Sequence, residues 1–441
     1  MHAIDNELLT RTGPGTPMGT YMRQFWFPAM LSSELEAGGA PVRLQVLGER
    51  WVAFRTESGA VGVVDHLCAH RCASLFFGRN EEEGIRCVYH GWKYDVTGQC
   101  VDIPSEPDGR AFAKRLKLAA ARVHEVGGLV WLYLGDEETP PPFPQFDVNQ
   151  RPAEECVASI TLRECNWLQA LEGDIDTCHV GFLHLGGIPA DTFPKGSINY
   201  YRQLDLAPRY EVVETDYGAL YDAYRQGSPT ETYHRIGQFI LPFYAMTPPF
   251  QLDSGAAHLR AWVPADDHHV WLIELRHGDV PLTRDADGKP MPGGTIGWDY
   301  LPNTSDWLGR WRVKQNAAND YGMDRSRANY TGIDGIPLQD QAITESMGPI
   351  QDRTREHLGS SDRMIAICRR RLLREARALA DDGAKGASAL SPERFSAIRS
   401  GNMLRPEGAD WLEAYNAYRE EWSPGIGPIE RAGKPVIAGV E

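Results

Sequence analysis

Along this chain the hydrophobic positions keep one rhythm to about residue 135 and then change it. VRLQVLG (42–48), RWVAFRT (50–56) and AVGVVDHL (60–67) alternate or run apolar, and Gly48 and Ser58-Gly59 divide them, which predicts short β-strands. GLVWLYLG (128–135) predicts the last strand of this region. DEETPPPFPQF (136–146) follows, and its four prolines are incompatible with a helix interior or a sheet ladder, so a boundary belongs there. Ahead of the strands, the aromatic, amphipathic PMGTYMRQFWFP (17–28) is suited to docking on a core. The expected organisation is a helical segment over 1–40, an all-β unit over 41–147 and a larger unit over 148–441.

In that larger unit CVASITLRE reads as a strand and residues 166–180 as a helix. Four runs between about 200 and 280 predict an antiparallel sheet: YRQLDLAPRYEVVETDYG, YHRIGQFILPFYAM, AAHLRAWVPA and HHVWLIELRHG. From about 305 the pattern turns helical, ending in the amphipathic DRMIAICRRRLLREARALADDG. The Gly/Pro-rich tail SPGIGPIERAGKPVIAGVE is expected to wrap the surface. The fold class is α+β: an N-terminal all-β unit followed by an antiparallel sheet with helices.

Composition narrows the partners. At 441 residues the chain exceeds one ordinary core. It has no uninterrupted apolar run of transmembrane length, and MHAIDNELLT lacks the basic and apolar regions of a secretory signal. Eight cysteines without an export signal suit a reducing cytoplasm. A formal charge of −15 makes nucleic acid a poor partner. An acidic small molecule would need arginine or lysine placed locally in a pocket.

The stretch CAHRCASLFFGRNEEEGIRCVYHGW (68–92) carries the first candidate chemistry. Residues i and i+2 of an extended loop point the same way, so Cys68 and His70 can reach one cluster. Cys87 and His90 come from a second loop, where Gly91 lets the chain turn closely. Two loops that each supply one thiolate and one imidazole fit a Rieske [2Fe–2S] cluster, with sulfurs on one iron and histidines on the other. Neutral imidazoles raise the potential above that of an all-thiolate cluster. A tetrahedral zinc site also accepts two Cys and two His, although zinc fingers mostly pair like with like. Phe76, Phe77, Tyr89, Trp92 and Tyr94 are expected to shelter the cluster. Cys72 and Cys100 read as buried packing thiols.

The second candidate is NWLQALEGDIDTCHVGFLH (166–184). Asn166, Gln169, Glu172, Asp176 and His179 step by three or four, as on one helix face. Such a face is ordinarily solvated. His184, five residues after His179, converges with it only if the helix loosens near Gly181. Two histidines suit iron, and a carboxylate would complete a 2-His-1-carboxylate triad with open positions. Asp176 is placed to hold the His179 ring.

Together the two motifs resemble the large (oxygenase) subunit of Rieske non-haem iron aromatic-ring oxygenases over most of the chain. ESMGPIQDRTREHLGSSD (345–362) is similar to the phthalate dioxygenase-like group, which includes dioxygenases of aromatic carboxylates and O-demethylases. Cys72 stands where many relatives carry Gly. The resemblance implies that Cys68, His70, Cys87 and His90 hold the [2Fe–2S] cluster and that His179 and His184 hold a mononuclear Fe(II). It also implies a late aspartate ligand followed five residues on by Glu. LQDQAITES fits with Asp340 and Glu345, and Asp352 is the competitor.

By the same resemblance Asp176 bridges His90 of one subunit and His179 of the next, in a homotrimer or stacked trimers, with electrons arriving from an NAD(P)H-dependent reductase. Substrate contacts are sought among Arg202, Arg209, Arg235 and Arg260, and among Phe239, Leu241, Phe243 and Tyr244. Arg209, Arg235 and Phe243 are the candidates put forward. The expected function is O2-dependent hydroxylation of an aromatic, carboxylated substrate, with O-demethylation as the variant. A Rieske-type electron carrier and a zinc-stabilised binding protein are the rivals from other classes.

Overall fold

The computed structural model describes residues 1–278, 299–327, 329–384, 386–425 and 427–431. The chain opens with helices α1 (Ala3–Thr10) and α2 (Pro17–Met22). Pro17 starts α2, where its missing N–H costs nothing, and the Thr16 side chain accepts the Gly19 N–H. β1 (Phe27–Leu31) is buried along its whole length. β2 (Val42–Val46), β3 (Glu49–Arg55) and β4 (Val61–Asp65) form an antiparallel sheet. β5 (Arg79–Glu81), β6 (Gly84–Arg86), β7 (Lys93–Asp95) and β8 (Cys100–Asp102) form a second, and the short helix α3 (Gly109–Ala113) follows. β9 (Arg122–Val126) and β10 (Leu129–Tyr133) then complete a third sheet with β1, in the order β1-β10-β9.

Residues 1–40 are therefore not only a helical segment. Phe27 lies opposite Leu132, so the expected docking element closes a sheet whose other strands lie about a hundred residues later.

After the proline-rich boundary an eight-stranded antiparallel sheet dominates. β11 (Cys156–Arg163) is followed by α4 (Trp167–Ile175), α5 (Ile198–Leu204), β12 (Arg209–Glu214), β13 (Gly218–Ser228), β14 (Glu231–Ile240), β15 (Tyr244–Met246), β16 (Ala257–Pro264) and β17 (Val270–His277). The helices α6 (Ile336–Ser346), α7 (Arg363–Asp382) and α8 (Glu393–Ser396) precede β18 (Gly401–Pro406) and α9 (Trp411–Trp422). The strand order is β11-β17-β16-β15-β14-β13-β12, with β18 pairing β14.

Alternation decides which face each residue serves. On β13, Ala219, Tyr221 and Ala223 enter the main core, whereas Leu220 joins Ile236, Met403, Trp411 and Tyr415 in a separate cluster with α9. Helix α4 packs against β14 to β17, and α7 packs against β12 and β13 and against α1 and α2.

Three expectations are corrected. Residues 201–218 are not all strand, because Tyr201–Leu204 complete α5. The helix expected over 166–180 stops at Ile175, where Asp176 takes an extended backbone. Among the described residues after 305, the first α-helix is α6, preceded by turns. The start of the tail does pack: the Ile429 N–H donates to Asn416 Oδ1 at 2.9 Å. Residues 432–441 lie outside the described residues. No helix among the described residues is long and apolar enough to cross a membrane.

Candidate iron–sulfur and metal centres

The two cysteine loops have one backbone shape. The Cys68 N–H donates to the Ala73 carbonyl (2.9 Å) and the Cys87 N–H to the Trp92 carbonyl (2.8 Å). Each cysteine carbonyl then accepts the N–H four residues on, from Cys72 and Gly91, both at 2.9 Å. Both of those residues are left-handed, with φ of 56° and 80°. Glycine meets this at no steric cost, and a Cβ on Gly91 would strike Pro104 at 2.7 Å. Cys72 accepts the strained backbone in the other loop, at a cost of roughly 1–2 kcal/mol. It is exposed, not a buried packing thiol, whereas Cys100 is buried.

Cys68 and Cys87 are buried, and the His70 and His90 rings meet edge to face at 4.4 Å. Trp92 stacks on His70 at 4.6 Å with planes 8° apart. The Nδ1 atoms of both histidines are buried without a hydrogen-bond partner, a loss of about 1–3 kcal/mol each unless a metal takes the lone pair. This donor set suits two irons better than one zinc. Among the described residues, the one group of three or more such donors within 4.8 Å of each other is His179, His184 and Asp340, so the hairpin quartet does not close on a single point.

Tyr94 Oη accepts the Ala69 N–H at 3.1 Å, which leaves its proton for Cys68 Sγ at 3.2 Å. Burial pushes the Cys68 thiol up, while Tyr94 and the His70 N–H pull it back toward thiolate. Of the expected shelter, Trp92 and Tyr94 are buried, but Phe77 and Tyr89 are 64% and 54% exposed.

The second centre assembles where α4 ends. Asn166 caps α4 through the Leu168 N–H. Its side chain also reaches the Thr10 and Asp267 carbonyls, at 2.9 and 2.7 Å. Gln169 Nε2 donates to the Thr344 and Gly348 carbonyls, at 2.9 and 2.8 Å. Glu172 accepts from Arg353 and Arg369. The polar face is thus buried against other elements and not solvated.

Beyond Asp176 the chain makes a 3-10 turn, His179–Gly181, that brings His179 Nε2 within 3.1 Å of His184 Nε2. Asp340 Oδ1, from α6, lies 3.1 Å from His184 Nε2 and 3.5 Å from His179 Nε2.

Supporting contacts set the tautomers. Asp176 Oδ2 faces His179 Nδ1 at 3.3 Å, and Gln339 Oε1 faces His184 Nδ1 at 2.8 Å. Gln339 is held in turn, its amide donating to the Ile333 carbonyl at 2.9 Å. With Nδ1–H committed, each Nε2 lone pair points to the common centre. Burial raises the Asp340 carboxyl, but the facing His184 and His179 rings and the Arg163 guanidinium outweigh that and hold it below the ordinary range. Asp176 is likewise opposed by burial yet held low by His179. Both carboxylates stay ionised. Glu345 Oε1 accepts the Glu164 N–H at 2.8 Å and Glu345 Oε2 the Tyr321 hydroxyl at 2.5 Å, tying α6 to the end of β11. Asp352 is exposed and caps the Thr354 N–H, far from this role.

A cavity of about 270 Å³ opens on this centre, walled by His179, His184, Asp340, Arg202, Arg235 and His258 among others. Arg202 and Arg235 are 8% and 7% exposed. Among the described residues neither has a carboxylate within ion-pair distance, although Arg235 Nε donates to Thr177 Oγ1. Burial, with repulsion from Arg235, pushes Arg202 down to about 9. Arg260 differs, being neutralised by Asp174 and Glu274.

Two substrate candidates fall elsewhere. Arg209 is exposed on β12, and Phe243 packs edge-on against Phe27 in the core. Phe239, Leu241 and Tyr244 are also core residues. Period-2 alternation alone does not say which of two buried faces borders a cavity. In the sequence Gln339 carries one signal, its place beside the expected ligand Asp340.

Two family models cover most of the chain. The Rieske [2Fe-2S] domain family matches residues 25–118, and the family described as LigXa C-terminal domain like matches residues 132–428. The 3-chlorobenzoate-3,4-dioxygenase oxygenase subunit of Comamonas testosteroni is 44% identical, over 93% of this chain and 97% of that protein. The phthalate 4,5-dioxygenase oxygenase subunit of Pseudomonas putida is 37% identical, over 84% of each. The crystal structure of dicamba monooxygenase bound to dicamba superposes with a TM-score of 0.55 at 17% identity, covering 82% of this chain and 99% of that one, which speaks to the fold alone.

Proposed function

This chain belongs to the Rieske non-haem iron oxygenases, as an oxygenase (alpha) subunit, and on that footing we propose that it oxidises an aromatic carboxylate with O2. The carrying observation is the pair Arg202 and Arg235, two buried guanidinium groups that have no carboxylate partner among the described residues, in the wall of the cavity that holds His179, His184 and Asp340. A buried cation without a counter-ion is costly, and a substrate carboxylate removes that cost while fixing the ring's orientation.

Cys68, His70, Cys87 and His90 are the residues that hold the [2Fe–2S] cluster in this reading, and His179, His184 and Asp340 those that hold Fe(II). When bound, the cluster supplies single electrons and the iron supplies coordination positions open to O2 and substrate. The chain's own part is preorganisation. Asp176 and Gln339 keep the protons on Nδ1 of the two histidines, Asp340 stays ionised, and the arginines aim the ring. Electrons come from a separate NAD(P)H-dependent reductase. In a ring of three, Asp176 of one subunit would meet His90 of the next and so link the residues that hold the cluster to those that hold the iron.

Steady-state kinetics on benzoates, phthalates and methoxylated acids test the substrate class. Arg202→Gln and Arg235→Gln should each raise KM for the preferred acid by about 30-fold or more. Equal turnover of an acid and its amide would reject the carboxylate anchor. Product analysis separates a cis-dihydrodiol from formaldehyde release, and about three irons per chain distinguishes an oxygenase from a two-iron carrier.

A further inference from the structure

The sheet face that carries Arg235 also carries a polar group that the metal centre leaves unused. Arg260 on β16 opposes Ala245 on β15, so one step on along the ladder Thr247 and His258 face each other. Directly opposed residues of antiparallel strands share a face, as do residues two apart. Phe239 opposes Ala245 in turn, which puts Arg235, four residues earlier on β14, on that face as well. Thr247, His258, Arg260 and Arg235 accordingly line one cavity, the one that opens on His179, His184 and Asp340.

The contacts of His258 fix where the Thr247 proton goes. Thr247 Oγ1 lies 3.1 Å from His258 Nδ1, and Glu274 Oε1 lies 3.0 Å from His258 Nε2. Burial opposes ionisation of Glu274, but Arg276 and Arg260 outweigh it and hold the carboxyl well below its usual range. Burial, with repulsion from the same two arginines, pushes His258 down to about 3, so the ring is neutral and carries one N–H. A carboxylate only accepts, so that N–H is on Nε2 and donates to Glu274. Arg260 Nε, 3.2 Å from Nε2, donates to Glu274 Oε1 at 3.1 Å instead. Nδ1 is left with its lone pair and takes the Thr247 hydroxyl proton. The Thr247 oxygen then has no proton to offer a ligand, and it keeps an acceptor site that no other hydrogen bond among the described residues fills. The other side-chain acceptors of the wall outside the metal triad are engaged: Asp174 by Arg260 and Trp262, Asp176 by His179 and the Cys178 N–H, and Asn199 Oδ1 by Arg202 Nη1 at 3.0 Å.

We propose that Thr247 is a specificity-determining residue whose oxygen accepts a hydrogen bond from a hydroxyl or amino group on the ring of the aromatic acid, and that His258 and Glu274 are positioning residues that keep the Thr247 proton turned away from it. A ring substituent that cannot donate would leave that oxygen desolvated and unpaired, the situation in which a site discriminates most strongly. The proposal rests on the aromatic-acid reading and narrows it to acids that bear a donor substituent.

Anaerobic calorimetry on the iron-loaded protein compares 3- and 4-hydroxybenzoate with their methyl isosteres, 3- and 4-methylbenzoate, and then the corresponding amides. In wild type at least one hydroxy acid should bind about ten-fold or more tighter than its methyl counterpart. Thr247→Val, the same size without the oxygen, should bring that ratio down to about one. Thr247→Ser should keep it. His258→Phe frees the Thr247 proton and should lower the ratio with Thr247 still present, whereas a packing role alone would shift both members of a pair alike. No preference for either hydroxy acid in wild type, a preference that survives Thr247→Val, or one lost in Thr247→Ser overturns the proposal. An unchanged ratio in His258→Phe overturns its positioning half. Acids and amides that bind alike, with the hydroxyl preference intact, would bring down the carboxylate anchor alone.

Discussion

The two centres are built in opposite ways. The cysteine–histidine centre takes all four donors from residues 68–90, on two loops whose shape is set by their own backbone hydrogen bonds. The His179–His184–Asp340 centre joins a turn after α4 to a helix more than a hundred and fifty residues later, and its geometry depends on side chains reaching between elements. A locally closed loop can hold its donors with few outside supports. A centre assembled from distant segments is only as precise as the packing that joins them.

Asp340→Ala breaks the second centre alone and should have the largest effect. Turnover should be abolished while the visible spectrum of the cluster is unchanged, which activity assay and absorption of the same sample will show. Loss of both signals would mean that the two centres are not independent.

Glu172→Gln tests how far the second centre depends on packing. It removes the buried anion that Arg353 and Arg369 share and should cost about 3–5 kcal/mol at neutral pH, read by denaturant unfolding. Burial opposes ionisation of Glu172, but the two arginines win and hold its folded pKa below the usual 4.5. Its contribution is therefore complete above that value and lost as the pH falls through the lower folded pKa. The variant should lose less stability than wild type across that acid window.

Gln339→Leu leaves every donor in place but frees the His184 tautomer. Iron affinity at the mononuclear centre should fall about 10–100-fold, by metal titration, with cluster iron retained. The smallest effect belongs to the self-contained centre. Tyr94→Phe removes one hydrogen bond to Cys68 and should lower the midpoint potential of the cluster without changing iron content. An unchanged potential would mean that the hydroxyl is not spent on the sulfur.

Much of this was legible in the residues, for a reason the contrast supplies. The Cys-x-His and Cys-x2-His loops encode their geometry within a few residues, and Gly91 marks the turn that one of them needs. The strands VRLQVLG, RWVAFRT and GLVWLYLG stand close to where their alternation places them, because period 2 is a local property of an extended backbone. The helix expected over 166–180 stops short because Asp176 Oδ1 accepts the Cys178 N–H, a signal lost in a continuous polar rhythm. Arg209 and Phe243 lie away from the cavity, and neither residue type nor strand position says what lies beyond a strand's face.

The amino-acid sequence by itself determined which donor types exist, how the cysteine loops turn and where β gives way to mixed structure, all properties of short-range sterics and spacing. Only the tertiary structure decided that Asp340 and not Asp352 meets the histidines, that Gln339 orients one of them, and that Arg202 and Arg235 share their cavity. Those are contacts between segments far apart in the chain, fixed by how the large sheet and its helices pack.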